Sequence, residues 1–200
     1  MLIHGQGVSK GVAIGKMVFF DRAEPVVERK YIENETAEIL RFEKAKNLAV
    51  EQLGELAFAM KAKIGEENAV LFEIHQMMLE DADYLDCIKA TIESHKVCAE
   101  YAVNEASAQF SEMFATMDDD YMRERAADIV DVSRRVITIL ADTKQEMQIY
   151  DEPVILISDD FTPSETAQLE RDKVLALATL GGSGNSHTAI LPGLWGFRQL

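Results

Sequence analysis

The chain has 200 residues, of which 48% are hydrophobic and 28% are charged, enough to bury a full core, and this excludes a disordered tail. Its 35 acidic and 20 basic residues give a net charge of -15, which repels nucleic-acid backbones and excludes nucleic acid as a partner. Because no apolar run reaches membrane-spanning length and the amino terminus lacks a signal-peptide pattern, we expect a cytoplasmic protein that does not bind membranes.

The pattern of apolar and polar residues changes near residue 33. Residues 2–8 and 12–20 alternate apolar and polar positions and predict two short β segments. From about residue 33 to residue 140 there is no proline, and apolar residues such as Phe42 and Leu53 recur at helical spacing, which predicts a helical bundle. Its helices are expected to break near residues 65, 81–83, 94–96 and 118–120.

After Tyr150 the pattern becomes strand, helix and strand. Residues 153–157 and 174–178 are continuous apolar runs typical of buried parallel strands, and Thr162 opens a helix between them. Since the opening β segments are too short to fold alone, we expect them to pair with this distal part. The fold class is then a discontinuous α/β domain, residues 1–25 and 145–200, with an inserted all-helical domain, residues 26–144.

One histidine has a chemically suggestive context. His187 follows a predicted strand within a run of glycines and small polar residues, which can approach and hydrogen-bond a phosphate closely. A neutral imidazole is nucleophilic near pH 7, so His187 could accept a phosphoryl group. On the residues alone, an incidental histidine in a glycine-rich turn stays an open alternative. The run comprises Gly182, Ser183, Gly184, Asn185, Ser186 and Thr188.

The other candidates have ordinary structural explanations as well. His75 lies on a predicted helix, where it could be structural or contact a partner. Met77 and Met78 beside it are either core or, if exposed, an adaptable protein-binding surface. Cys87 and Cys98 lack metal-type spacing, so we expect reduced thiols and no metal site in these 200 residues.

Four sequence blocks resemble enzyme I, the phosphoenolpyruvate-protein phosphotransferase family of the bacterial sugar phosphotransferase system. They occur in the family order and extend over nearly the whole chain. The first three blocks are residues 7–15 (Gly-Val-Ser-Lys-Gly-Val-Ala-Ile-Gly), 75–81 (His-Gln-Met-Met-Leu-Glu-Asp) and 119–129 (Asp-Asp-Tyr-Met-Arg-Glu-Arg-Ala-Ala-Asp-Ile). The fourth block combines residues 162–168 (Thr-Pro-Ser-Glu-Thr-Ala-Gln) with residues 182–190, which contain His187.

The resemblance implies a function for each block. His187 is the phosphoacceptor, Thr166 hydrogen-bonds its ring, and the residues around His187 form the phosphate loop. The helical domain docks the phosphocarrier protein HPr, which receives the phosphoryl group for sugar uptake. The docking residues implied or expected are His75, Met77, Met78, Asp81, Leu85 and Arg125.

The resemblance also implies what lies elsewhere. In this family the phosphoenolpyruvate site, the Mg²⁺ site and the main homodimer interface belong to a carboxy-terminal barrel. We therefore expect the α/β domain to be truncated here and the chain not to phosphorylate itself. Two alternatives stay open: the phosphohistidine domain of a dikinase, which lacks the long helical insertion and carries a large ATP-binding domain upstream, and a noncatalytic helical interaction module.

The resemblance stops after Leu191. Family members continue with a stretch like Ala-Arg-Ser-Leu-Gly-Ile-Pro-Ala, whereas this chain continues with Pro192 and eight further residues. The codons allowed for residues 192–200, read one frame over, permit Arg-Ser-Leu-Gly-Ile-Pro-Ala-Ala. The glycine is forced by Trp195 and Gly196, and codon degeneracy permits the others. We hypothesise that a single-base loss just before Pro192 produced a frameshifted tail.

Overall fold

The computed structural model describes residues 4–7, 12–20, 25–142, 150–170, 172–180 and 198–199. The chain divides into two compact units. The α/β unit comprises Met1–Arg22, Ala62–Asn68 and Glu146–Leu200, and the helical unit comprises Ala23–Lys61 and Ala69–Gln145. This division is separate from the domain boundaries expected from the sequence, which stay a prediction.

Helices occupy most of the middle of the chain, as the apolar spacing predicted. Their ends coincide with the predicted breaks. Within the described residues they are α1 (Glu35–Ile64), α2 (Glu66–Leu79), α3 (Ala82–His95), α4 (Ala99–Ala115) and α5 (Asp120–Leu140).

Local chemistry explains where these helices start and stop. Gly65, between α1 and α2, has a φ of 85°, a left-handed conformation that costs glycine little. Asp81 caps α3 by accepting a hydrogen bond from the Tyr84 amide. Asp119 caps α5 by accepting hydrogen bonds from the amides of Tyr121 and Met122.

The core of the helical unit lies along one face of α1. Tyr84 of α3 joins this core; its hydroxyl lies 2.7 Å from the Ser133 hydroxyl of α5, and its ring meets Phe110 of α4 edge-on. These contacts tie three helices together with a satisfied polar group. The buried α1 positions, three or four residues apart, are Phe42, Ala45, Ala49, Leu53, Ala57 and Met60.

The α/β unit contains a parallel sheet in the order β1 (Lys16–Phe19), β2 (Val154–Ser158), β3 (Val174–Thr179) and β4 (Arg198–Gln199). Strand β2 is almost continuously buried, as expected for a central parallel strand. Gly15 precedes β1, and a Cβ there would lie 2.5 Å from Leu175, so glycine permits the close approach of that segment. Helix α6 (Pro163–Gln168) lies between β2 and β3 in the chain.

One predicted β segment differs from the structure. Residues 4–7 of the expected segment 2–8 are described, and they form no strand. The second expected segment is shorter than predicted, because pairing with β2 begins only at Lys16. A strand needs a partner for its backbone groups, and alternation in the sequence does not provide one.

No helix among the described residues combines the length and the apolar character that crossing a membrane requires.

Candidate functional site

Two segments with predicted functions begin at the carboxyl edge of the parallel sheet. Strand β2 ends at Ser158 and leads into α6, and β3 ends at Thr179 and leads into the segment that contains His187. Ser158 and Thr179 are paired across the two strands, and the Leu180 amide donates to the Ser158 carbonyl at 3.1 Å. Loops at this edge of a parallel sheet commonly carry binding groups.

A capping box builds the start of α6. The Glu165 amide donates to the Thr162 hydroxyl at 3.2 Å, and the Thr162 amide donates back to the Glu165 carboxylate at 2.9 Å. Pro163 occupies the first turn, where its missing amide hydrogen costs nothing. The predicted site residue Thr166 therefore lies on a locally well-determined helical turn.

Thr166 is fully buried, and its hydroxyl donates to the Thr162 carbonyl at 3.0 Å. A hydroxyl has one hydrogen to donate and two lone pairs to accept with. In this arrangement the oxygen of Thr166 is available as an acceptor. His187 and the predicted phosphate loop, Gly182, Ser183, Gly184, Asn185, Ser186 and Thr188, lie outside the described residues.

The predicted docking residues of the helical unit fall into two groups. Met77 is 69% exposed, Asp81 is exposed, and Met78 and Leu85 are half-buried. His75 is fully buried and Arg125 is only 7% exposed. In the structure these two face other residues of the helical unit, which differs from the expected direct contact with a partner. The docking role of all six stays a prediction.

His75 of α2 lies between two buried carboxylates of α5. Its Nε2 is 3.3 Å from Oδ1 of Asp128, and its Nδ1 is 3.9 Å from Oδ2 of Asp131. Arg125 donates to Oδ2 of Asp128 at 2.7 Å, and its guanidinium lies 4.4 Å from the centre of the Tyr121 ring. Burial pulls the pKa of Arg125 down, but hydrogen bonds to Asp128 and Tyr121 outweigh it, so the pKa ends above its ordinary value.

Arg135 of α5 is a further basic residue beside Asp131. It donates to the Gln52 side chain of α1 at 2.9 Å. Burial lowers its pKa, and the negative charge of Asp131 offsets only part of that effect. We call His75, Arg125, Asp128, Asp131 and Arg135 the buried charge cluster.

Sequence reasoning missed most of this cluster. The signal was present, because positions 125, 128, 131 and 135 recur at helical spacing and place charged residues beside buried Ile129, Val132 and Val136. Charged residues at such positions require partners. It also missed Tyr121 and Met122, which are 55% and 39% exposed at the start of α5.

Among the described residues, no three His, Cys, Asp or Glu side chains are grouped so as to hold a metal ion.

Two family models match the chain. The model described as "PEP-utilising enzyme, N-terminal" matches residues 4–125, and the model described as "PEP-utilising enzyme, mobile domain" matches residues 150–192. The second match includes His187 and ends one residue after Leu191.

Similar proteins include the phosphoenolpyruvate-protein phosphotransferases of Bacillus sp. (strain S) and Geobacillus stearothermophilus. They are 39% and 40% identical over 190 residues, which is 94% of this chain and 33% of each relative. The chain thus spans about a third of the length of these curated relatives.

Two solved structures are also similar. An NMR solution structure of an enzyme I protein (nEIt) is 30% identical with a TM-score of 0.78, over 100% of this chain and 82% of that one. An N-terminal domain of the nitrogen enzyme I is 25% identical with a TM-score of 0.68, over 96% and 79%. The chain therefore belongs to the phosphoenolpyruvate-utilising enzymes and, within them, matches the amino-terminal part of the phosphoenolpyruvate-protein phosphotransferases.

Proposed function

We propose that this chain carries the phosphohistidine and carrier-docking functions of a phosphoenolpyruvate-protein phosphotransferase. His187 accepts a phosphoryl group that originates from phosphoenolpyruvate and passes it to a histidine of HPr, the first step of cytoplasmic sugar uptake. The observation that carries the proposal is the mobile-domain match over residues 150–192, which contains both Thr166 and His187.

The sheet geometry supports a phosphoacceptor at this position. Because Leu180 is bonded to Ser158, the segment with His187 starts beside the end of β2, from which α6 and Thr166 follow. We infer that Thr166 accepts a hydrogen bond from a ring N–H of His187. The imidazole nitrogen remote from the backbone then keeps its lone pair for phosphorus.

Two transfers complete the proposed reaction. In the first, the bond between phosphorus and the enol oxygen of phosphoenolpyruvate breaks, and a bond between phosphorus and the imidazole nitrogen forms. The enolate leaves and takes up a proton to become pyruvate. In the second, the phosphorus–nitrogen bond of His187 breaks while a histidine nitrogen of HPr forms its own. Both transfers depend mainly on positioning and charge stabilisation.

The helical unit supports HPr docking. Exposed Met77 on α2, and Tyr121 and Met122 on α5, supply adaptable apolar surface. Exposed acidic residues lie close to them along the sequence, and side chains of that charge suit a carrier with a basic active-site rim. These acidic residues are Glu80, Asp81, Asp83, Asp118, Asp119 and Asp120.

Mg²⁺, the phosphoenolpyruvate site and the homodimer interface belong, in this proposal, to the part of the relatives beyond the matched third. The proposal assigns no Mg²⁺-dependent step to the residues described here. Incubation with phosphoenolpyruvate alone is accordingly expected to leave the chain unlabelled.

Labelling with phosphorylated HPr tests the proposal. We expect an acid-labile phosphoryl group on His187, found by mass analysis, and no label in a folded His187→Ala variant. His95→Ala is the matched control, because His95 is an exposed histidine at the end of α3; it should keep the label. If His187→Ala is labelled like the parent, the proposed acceptor is wrong. If the parent binds HPr but takes no label, the noncatalytic interaction module replaces this function.

A further inference from the structure

Side-chain contacts join α1 and α2 of the helical unit along one seam. Gln76 of α2 donates to the Val50 carbonyl of α1 at 2.8 Å. Further along α1, Lys61 pairs with Glu73 of α2 at 3.1 Å. The later residue of α1 meets the earlier residue of α2, so the two helices run antiparallel. These contacts also fix which positions of each helix face the seam.

Phe58 of α1 lies beside this seam, and its side chain is 82% exposed. It follows Gly54 by one helical turn, and a Cβ on Gly54 would lie 3.0 Å from Nε2 of Gln76. At about 100° per residue, Phe58 is rotated only about 40° from the direction in which Gly54 faces α2. Phe58 also precedes Lys61, the other seam residue, by three positions. The ring therefore stands next to the groove between the two helices.

Phe58 and Met77 lie on the same side of the seam, the side away from the core. On α1, the buried positions are rotated from Gly54 in one sense and Phe58 in the other. On α2, the buried positions are rotated from Gln76 in one sense and Met77 in the other. Because the helices are antiparallel, the same sense of rotation leads to the same side on both. The buried positions are Leu53, Ala57 and Met60 on α1 and Phe72, His75 and Leu79 on α2.

We propose that Phe58 is a contact residue for HPr, which extends the carrier-docking surface from Met77 across the seam onto α1. This proposal rests on the proposed function, since HPr is the partner whose binding it concerns. An interface of about 800 Å² per partner is roughly 30 Å across, and adjacent helices lie about 10 Å apart. A carrier seated on Met77, which is 69% exposed, therefore also covers Phe58.

The charges around Phe58 suit the same carrier. Exposed Glu55 and Glu51 precede it by one and two helical turns. The ammonium group of Lys61, one turn after it, is paired with Glu73. The rim of the groove is therefore acidic beside an exposed aromatic ring, and it complements a carrier whose active-site surroundings are basic and apolar.

The first measurement is the Kd of the full chain for HPr by calorimetry. Phe58→Ala should raise Kd about tenfold, because a largely exposed aromatic ring has much apolar surface to remove from water on binding. The same exposure means that the fold depends little on the ring, and alanine favours the helix. Phe58→Leu keeps much of the apolar surface and should retain most of the affinity.

Tyr31→Ala is the matched control for this measurement. Tyr31 is also an exposed aromatic residue of the helical unit, with 74% of its surface accessible. It precedes Glu35, the first residue of α1, which lies roughly 35 Å along the helix from Phe58. Its removal should leave the Kd for HPr unchanged.

The second measurement tests the contact itself. In the complex of the full chain with HPr that carries ¹³C-labelled methyl groups, filtered NOEs should connect the aromatic protons of Phe58 with HPr methyl groups. The same cross-peaks should vanish in Phe58→Leu. A residue that affects binding only through the structure of the helical unit would weaken binding without such cross-peaks.

The outcomes separate this proposal from the proposed function. Weaker binding of Phe58→Ala together with the NOEs supports the contact. The contact is wrong if Phe58→Ala binds like the parent while Met77→Ala weakens binding, or if Phe58→Ala weakens binding and no NOE is found; both results leave the proposed function intact. If Phe58→Ala, Met77→Ala and Tyr121→Ala all bind like the parent, HPr docks elsewhere and the contact fails with the docking surface, whereas labelling of His187 is judged separately. If the parent does not bind HPr, the carrier-docking function and this contact fail together.

Discussion

The hydroxyl of Thr166 donates its hydrogen to the carbonyl oxygen of Thr162 at 3.0 Å, one helical turn earlier. That bond leaves the Thr166 oxygen as an acceptor, so in the proposed site it would select the tautomer of His187 that presents an N–H to it. The pairing is local to α6 and is supported by the capping box.

Replacing Thr166 with valine should slow phosphoryl transfer without abolishing it. Valine keeps the volume and removes the acceptor, so we expect about a tenfold lower rate, equivalent to ~1.4 kcal/mol of barrier. The measurement is the rate of label transfer from phosphorylated HPr in a rapid-quench experiment. Thr138→Val is the matched control, because Thr138 donates in the same way to the Arg134 carbonyl in the helical unit. Equal rates in parent and Thr166→Val would exclude Thr166 from the site.

Truncating the exposed apolar residues of the docking surface should weaken HPr binding. Met77→Ala and Tyr121→Ala are each expected to raise Kd by about tenfold, a typical loss for central interface residues. Leu40→Ala is the control. Leu40 is 52% exposed, and its neighbour Arg41 binds the Leu140 carbonyl, which is about 30 Å along α5 from Tyr121. If calorimetry shows that Leu40→Ala weakens HPr binding as much as Met77→Ala does, the proposed location of the docking surface is contradicted.

Arg41 joins three helices, and its removal should lower the stability of the helical unit. Its guanidinium contacts Glu38 of α1, Glu100 of α4 and the Leu140 carbonyl at the end of α5. The hydrogen bond to Glu38 contributes most to raising the pKa of Arg41, and the hydrogen bond to Glu100 adds to it, so the guanidinium stays charged. We expect Arg41→Met to cost about 2 kcal/mol, less than a fully buried pair because Arg41 is 39% exposed. Denaturant unfolding measures this, and Lys30→Met, which breaks an exposed ion pair with Glu28, should cost under about 0.5 kcal/mol.

The same network should make the free energy of unfolding depend on pH in the acidic range. Burial raises the pKa of Glu100, but the hydrogen bonds from Arg41 outweigh it, so the pKa lies below its ordinary value of 4.5. A lowered folded-state pKa contributes stability that is present above pH 4.5 and is lost as pH falls through the folded value. We expect the unfolding free energy to fall between pH 5 and pH 3, and less steeply in Glu100→Gln. Identical slopes for the two proteins would contradict the assignment.

The DNA that encodes the end of the chain tests the frameshift hypothesis. Inserting one base before the Pro192 codon should restore an open frame of the family type, beginning Ala-Arg-Ser-Leu-Gly. The match of the mobile-domain model ends at residue 192, which agrees with a break at this point. If no single-base insertion there recovers such a frame, the last nine residues are a genuine divergence.

Sequence patterns determined the elements wherever one local rule dominates. The proline-free stretch with apolar spacing became α1 to α5, and Asp81, Asp119 and Thr162 begin helices because their side chains cap the adjacent turn. The apolar runs became β2 and β3 because strands in the interior of a parallel sheet tolerate continuous apolar composition. The resemblance to enzyme I likewise rests on short blocks, and the comparisons confirm it.

Tertiary structure alone decided which candidates are buried. His75 and Met77 lie two residues apart, and the same block of sequence gave both a docking role. The helix turns about 200° between them, so one faces Asp128 and the other is exposed. Likewise, alternation over residues 2–8 could not show whether a neighbouring strand is present for pairing. Burial and pairing depend on residues far away in the chain, and local spacing contains no information about those partners.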